Sequence, residues 1–264
     1  MRRLLTFLGV AGLVAACASN VPTPRPAIES LASPEGAWGS VLSAAVDDRG
    51  RIDFAGISKD PANLDAYVAW LARAETPPAR EAKLAHLLNA YNALAMYNAV
   101  RSGIPEELDS RKVKFFYRDR FELGGRRISL YALENQVVRP LGDPRVHFAL
   151  NCMAVSCPRL PREPFRAETL DADLERLARE FCNDPRNVTT DPAAKVVRFS
   201  EILKFYTEDF LKGAPSLIAY ANGYRDEKIP EDYRVEFIPY DWTGTTRVGP
   251  AARLTACSAS SRRG

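Results

Sequence analysis

One stretch of the chain concentrates the residue types that move protons and form covalent intermediates: D-P-R-V-H-F-A-L-N-C-M-A-V-S-C-P, residues 143–158. His147 is one of only two histidines in 264 residues, the other being His86. An imidazole with an unperturbed pKa near 6.5 exchanges a proton at neutral pH, so His147 is the candidate general base or acid. Cys152 and Cys157 follow it. The thiolate is the reactive form of cysteine, and a neighbouring imidazolium favours it. Three outcomes stay open for the two sulfurs: a disulfide closing a small loop, two structural thiols, or a nucleophile. The run predicts a strand over 145–150, with Val146, Phe148 and Leu150 on the core face and His147, Ala149 and Asn151 on the other. A His147–Cys152 pair then requires a sharp fold-back after Asn151, because five extended residues span about 16 Å. Cys157 returns more easily, through a loop that contains Ser156 and is closed by Pro158. The structural alternative for His147 is a hydrogen-bonded tie between strand and loop.

Other candidates lie outside this run. Asn89 and Asn92 are three apart on a helix otherwise filled with Leu, Ala and Tyr, and therefore share one side of it. A buried unpaired amide costs roughly 1–3 kcal/mol, so each needs partners. Asn89 could orient the imidazole, completing a Cys–His–Asn set of the papain-like kind. The plainer reading is that both amides fasten a neighbouring loop by its backbone. Glu134 could form an acid–base pair with His147 without any cysteine, or it is a solvated helix residue. Arg145 shares the face of His147 by alternation, where it would clamp an anion or, more simply, pair with Glu134. Arg145, Asn92, Asn151 and Ser156 make up the candidate binding set, and His86 reads as packing.

The elements that must position these groups follow from periodicity and punctuation. Helices are predicted at 38–45, 64–74, 79–101, 130–139 (capped by Ser129), 169–181, 200–211 (capped by Ser200) and 216–221. Strands are predicted near 51–54, at 113–117, across a Gly124-Gly125 hairpin at 120–129, at 145–150, across a hairpin at 187–199, and at 235–240. Helices and hairpins come in blocks, which favours α+β over a doubly wound sheet. The expected fold is a single, mainly helical domain around a small antiparallel or mixed sheet, with a distant papain- or transglutaminase-like arrangement as a variant. Against that variant, the central helix has no Cys where those folds carry their nucleophile.

N-A-Y-N-A-L at 89–94, the 143–158 run, F-C-N-D-P at 181–185, S-E-I-L-K-F-Y-T-E-D-F at 200–210 and Y-D-W at 240–242 occur in that order. In content and spacing they resemble the bacterial and plant family called domain of unknown function 547, over about residues 60–243. The resemblance implies no particular reaction, since the family has no established common one. The chain departs from the family pattern at Leu87 and His86, where aromatic residues are usual, and Cys182 and Cys257 look private to it.

The N-terminus carries Arg2 and Arg3 and then thirteen uncharged residues ending V-A-A-C at Cys17. That layout is a secretory signal. Thirteen residues rise only about 20 Å as a helix, too little to span a hydrocarbon core. The ending resembles the lipobox of bacterial lipoproteins, which implies cleavage after residue 16 and lipidation of Cys17. The expected organisation is a signal peptide at 1–16, a lipidated, Pro-rich tether at 17–35, a globular domain at 36–243 and a loose tail at 244–264. The membrane, reached through Cys17, is thus the first expected partner, and the location a bacterial envelope, at the outer membrane facing the periplasm.

Composition narrows the function classes. With 36 Lys+Arg against 33 Asp+Glu the formal charge is +3, two of which are Arg2 and Arg3, so no basic field points to nucleic acid. Two histidines cannot supply a three-His metal site, and no C-x-x-C, H-E-x-x-H or phosphate-cradling glycine motif occurs; neither metal nor cofactor is expected. Apart from Cys17 the cysteines number four, so Cys152–Cys157 and Cys182–Cys257 disulfides are one economical pairing. A binding or scaffold module for an envelope protein or a small ligand is the leading expectation. The alternative is a hydrolase or acyltransferase using Cys157 or Cys152 with His147 and Asn89. A thiol-redox role ranks third, because the spacing is not C-x-x-C.

Overall fold

The computed structural model describes residues 18–25 and 33–246. Its centre is α4 (Arg80–Arg101), in which every residue from Leu84 to Ala99 is buried. A helix covered all round must be wrapped by other elements. α1 (Pro34–Ala45), α2 (Phe54–Lys59) and α3 (Ala62–Leu71) do this on one side, with α1 packed on α3 and both α2 and α3 on α4. Ser33 and Asp53 cap α1 and α2 by accepting from Gly36 N and Gly56 N.

Two small mixed sheets complete the architecture. The first orders β1 (Ser19–Asn20), β2 (Asp119–Leu123) and β3 (Arg126–Ser129), with β1 parallel to β2 and β2 antiparallel to β3. Gly124 and Gly125 join β2 to β3 with φ of 56° and 74°, the left-handed pair that a two-residue hairpin requires. Their N–H groups also donate to Leu71 O and Ala72 O, so the hairpin satisfies carbonyls at the end of α3. The second sheet orders β4 (Val188–Asp191), β5 (Val196–Ser200) and β6 (Arg234–Ile238), antiparallel then parallel. In the chain, α5 (Leu130–Ala132), which continues as π-helix through Leu133–Val138, and α6 (Leu170–Asn183) link the first sheet to the second, and α7 (Glu201–Phe205), α8 (Thr207–Phe210) and α9 (Leu217–Asn222) connect β5 to β6.

The protein is therefore α+β, with two three-stranded sheets in place of the single small sheet expected. Two predicted strands are helical instead. Residues Val113–Arg118 form a π-helical turn that buries Phe115. Pro144–Phe148 form a 3-10 helix, entered by Asp143 accepting from Arg145 N with Pro144 in the first turn. Asp-Pro is a helix start as well as a turn, and here the cap wins over the alternation of Val146 and Phe148. Part of the expected tether is bound: Val21 N donates to Arg120 O at 2.9 Å, and Tyr97 Oη to Pro22 O at 3.0 Å. The expected signal peptide, Cys17, Cys257 and most of the expected tail lie outside the described residues.

Candidate functional site

The loop after the 3-10 helix is shaped by two buried amides. Asn92, on α4, donates from Nδ2 to Ala149 O at 2.9 Å and accepts from Asn151 N at 2.8 Å. Asn151 in turn donates to Pro158 O and accepts from Met153 N, each at 2.7 Å. Met153 takes a left-handed φ of 73°, and the chain doubles back there. This brings Cys152 Sγ to 2.9 Å from Cys157 Sγ. The Cys157 sulfur also accepts from Cys152 N at 3.0 Å and faces the Tyr240 hydroxyl at 3.1 Å, while Cys152 Sγ is 3.5 Å from that hydroxyl. Ser156 holds the segment carrying Tyr240 against this loop: its N–H donates to Asp241 O at 3.2 Å and its Oγ accepts from Asp241 N at 2.8 Å.

These contacts make the two sulfurs unequal. Burial acts to raise the Cys157 thiol, but donors from Cys152, Tyr240 and the backbone outweigh it, and the net direction is down. Cys152, by giving its hydrogen bond to Cys157 and being buried as well, is pushed well above the ordinary thiol range. Cys182 has neither kind of help, and burial in α6 pushes it up to about 12.

His147 is buried on the 3-10 helix, not exposed on a strand face. Its ring stacks on Tyr206 at 3.7 Å between centroids, and Nε2 lies 2.9 Å from Asp209 Oδ2. Desolvation exceeds the attraction of Asp209, so the imidazole is brought down to about 4 and is neutral at pH 7. Burial also acts to raise Asp209, but hydrogen bonds from Arg139, Lys212 and His147 hold it well below the carboxylate range. Arg139 Nε and Lys212 Nζ each stand 2.7 Å from its oxygens. A neutral imidazole beside an ionised carboxylate must donate from Nε2, which leaves Nδ1 as a bare acceptor, and Nδ1 is buried with no hydrogen-bond partner.

Glu134 is buried rather than solvated. Tyr91 Oη donates to it at 3.1 Å and Tyr206 Oη makes a shorter bond to its other oxygen. Desolvation raises its pKa against those two hydrogen bonds. The ring of Tyr206 thus separates two polar centres, Glu134 at its hydroxyl and His147 on its face.

Glu134, His147, Cys152 and Cys157 all line one cleft of about 540 Å³. Its walls are aromatic, including Phe116, Tyr117, Tyr131, Phe205, Tyr240 and Trp242, and Lys112 Nζ lies 3.7 Å over the Trp242 ring. The remaining candidates are placed elsewhere. Asn89 accepts from Trp38 Nε1 and Phe165 N and donates to Phe165 O, so it fastens a loop and does not orient His147. Arg145 pairs with Asp143 at 2.8 Å and Asp171 at 2.7 Å, not with Glu134, because the 3-10 turn removes the strand face that Arg145 was to share with His147. Asn92, Asn151 and Ser156 shape the cysteine loop from outside the cleft. No described hydrogen bond joins the imidazole to either sulfur. His86 packs edge-on against Trp70. Among the described residues no group of three or more His, Cys, Asp or Glu is placed to hold a metal ion.

Residue type and spacing alone assign no role to Tyr91, Arg139, Tyr206, Asp209 and Tyr240. All but Arg139 lie inside the N-A-Y-N, F-Y-T-E-D-F and Y-D-W strings, so the signal was position within a motif rather than residue type.

Fold and site together define an α+β domain with an aromatic-walled cleft over a neutral His, a buried Glu and a dithiol. Residues 76–182 match the model of the family described as "Protein of unknown function, DUF547", so that segment is similar to this family. It carries Glu134, His147, Cys152 and Cys157, whereas Tyr206, Asp209 and Tyr240 are supplied from beyond it. Comparison with curated proteins and with solved structures gives no match.

Proposed function

We propose that this protein is a lipid-anchored envelope protein whose cleft binds a small organic ligand. The carrying observation is convergence: about 540 Å³ of space, within the roughly 300–1,000 Å³ of small-molecule sites, has aromatic walls and a few buried polar groups. Glu134 contributes a carboxyl group already polarised by two phenols, and His147, its side chain wholly buried, backs the Tyr206 ring behind that wall. A ligand with a planar or apolar body and a hydrogen-bond donor fits that lining. Titration of the refolded domain with aromatic amines and amides should change Trp242 emission and raise the melting temperature. Glu134→Gln should weaken the tightest binder by about tenfold, the equivalent of one charge-assisted hydrogen bond. If no compound at millimolar concentration changes either signal, the binding reading is lost.

A second reading, a cysteine-dependent hydrolase or acyltransferase, draws support from the donors gathered on Cys157. It requires His147, or another base, to reach that sulfur during turnover. Acylation of Cys157 by thiol-directed activity probes, lost in His147→Ala, would favour it over simple binding.

The anchor rests on Arg2, Arg3, the apolar run 4–16 and V-A-A-C at Cys17. A partner protein in the envelope belongs to the same proposal. Cells expressing the full chain should incorporate labelled palmitate into it, and Cys17→Ser should abolish the label and release the protein from the membrane fraction. A label that survives Cys17→Ser sinks this part.

A further inference from the structure

The two cysteines are not accounted for by ligand binding, and their surroundings are more specific than packing needs. Two sulfurs five positions apart share one hydroxyl, Tyr240 Oη, and stand 2.9 Å from each other on the wall of a cleft. A disulfide S–S bond measures about 2.05 Å, so closing it asks for less than about 1 Å of movement by side chains on a loop. The fold-back at Met153, held by Asn92 and Asn151, provides what C-x-x-C motifs obtain from a helix start. The spacing objection to redox chemistry therefore falls.

We propose that Cys152 and Cys157 form a thiol–disulfide exchange site for small disulfides, with Cys157 attacking and Cys152 resolving. The polarity follows from the donors. Cys157 Sγ receives the Cys152 N–H and the Tyr240 hydroxyl, both of which stabilise a thiolate, and its pKa direction agrees. Cys152, half-buried and giving its hydrogen bond to Cys157, keeps its proton until it is called on.

In the first step the Cys157 thiolate attacks one sulfur of R–S–S–R. A Cys157–S–S–R bond forms, the R–S–S–R bond breaks, and R–S⁻ leaves. In the second, Cys152 attacks the Cys157 sulfur of the mixed disulfide: the Cys152–Cys157 S–S bond forms, the Cys157–S–S–R bond breaks, and the Cys152 proton goes to the departing second R–S⁻, while the first R–S⁻ takes from water the proton that Cys157 released on ionising. The dithiol is oxidised by two electrons and the small disulfide reduced by two, to two thiols. Tyr240 then loses its thiolate acceptor, so the cleft wall senses the change. The proposal does not depend on the identity of a cleft ligand.

The test uses the folded, reduced full-length protein and oxidised glutathione, with alkylation of remaining thiols at intervals and peptide mass mapping. Wild type should form the 152–157 disulfide while Cys182, buried without donors, stays alkylatable only after unfolding. Cys152→Ser should trap glutathione on Cys157. Cys157→Ser should leave Cys152 slower to react by on the order of tenfold. Tyr240→Phe should move the pH profile of Cys157 alkylation to higher pH, a shift that a purely structural tyrosine would not cause. The proposal is overturned if both thiols of folded wild type persist in excess oxidised glutathione, or if Cys157→Ser takes up glutathione on Cys152 faster than Cys152→Ser takes it up on Cys157. The wild-type arm decides the matter even where a variant fails to fold.

Discussion

A buried imidazole with a single hydrogen-bond partner gives up its proton, and in His147 that choice has a measurable price in acid. Its folded pKa of about 4 lies below the unfolded value near 6.5, so its contribution to stability is fully present above pH 6.5 and is lost as pH falls towards 4. A difference of about 2.5 units at about 1.4 kcal/mol each gives roughly 3 kcal/mol, undiscounted because the side chain is wholly buried. Urea midpoints should therefore fall between pH 7 and pH 4 in wild type and fall much less in His147→Gln. An equal loss in both proteins would mean that the imidazole is charged when folded. Glu134 works the other way: burial raises it, so its contribution is present below pH 4.5 and lost as pH rises through the folded value. Glu134→Gln should accordingly be relatively more stable at pH 8 than at pH 4, offset by whatever the two phenols lose as donors. His147 was legible in the sequence through its scarcity. Asp209, 62 positions away, was not, because only the folded chain brings α8 beside the 3-10 turn.

At the scale of elements, α4 acts as a rack of amides. Asn89 holds the loop at Phe165 by two backbone bonds, and Asn92 holds Ala149 and Asn151 by two more. Replacing Asn92 by Ala removes both and leaves a buried carbonyl and N–H unpaired, a loss of roughly 2–4 kcal/mol at 1–2 kcal/mol per bond. The expected result is a lower urea midpoint together with slower closure of the 152–157 pair. Asn92→Ala with unchanged stability would show the loop to be held by something else. That these amides fasten loops was readable, since a buried Asn in an apolar helix demands partners. Their targets were not, since a backbone carbonyl has no sequence signature. The hairpins at Gly124-Gly125 and at 188–200 were equally plain from turn chemistry. Residues 113–118 and 144–148 failed because short apolar runs read alike as strand or as tight helix, and only the Asp143 cap could have decided the second.

Across the whole molecule, the cleft is assembled from distant parts of the chain: α4, the α5 segment, the cysteine loop, α7 and the segment after β6. The last of these is sewn to the cysteine loop through Val155 N to Thr243 O at 2.8 Å and Thr245 N to Met153 O at 2.9 Å, so residues near the chain's end complete a site begun some 150 residues earlier. The segment from Ser19 to Thr23 is stitched down as well. β1 lies parallel to β2 from Ser19, and Thr23 Oγ1 donates to Glu122 at 2.6 Å. Only Ala18 separates Ser19 from Cys17. If Cys17 carries acyl chains, the domain is moored rather than on a leash. One residue of slack spans about 3.5 Å, so the sheet edge rides at the headgroups and the cleft keeps a fixed bearing towards the bilayer instead of sweeping a hemisphere.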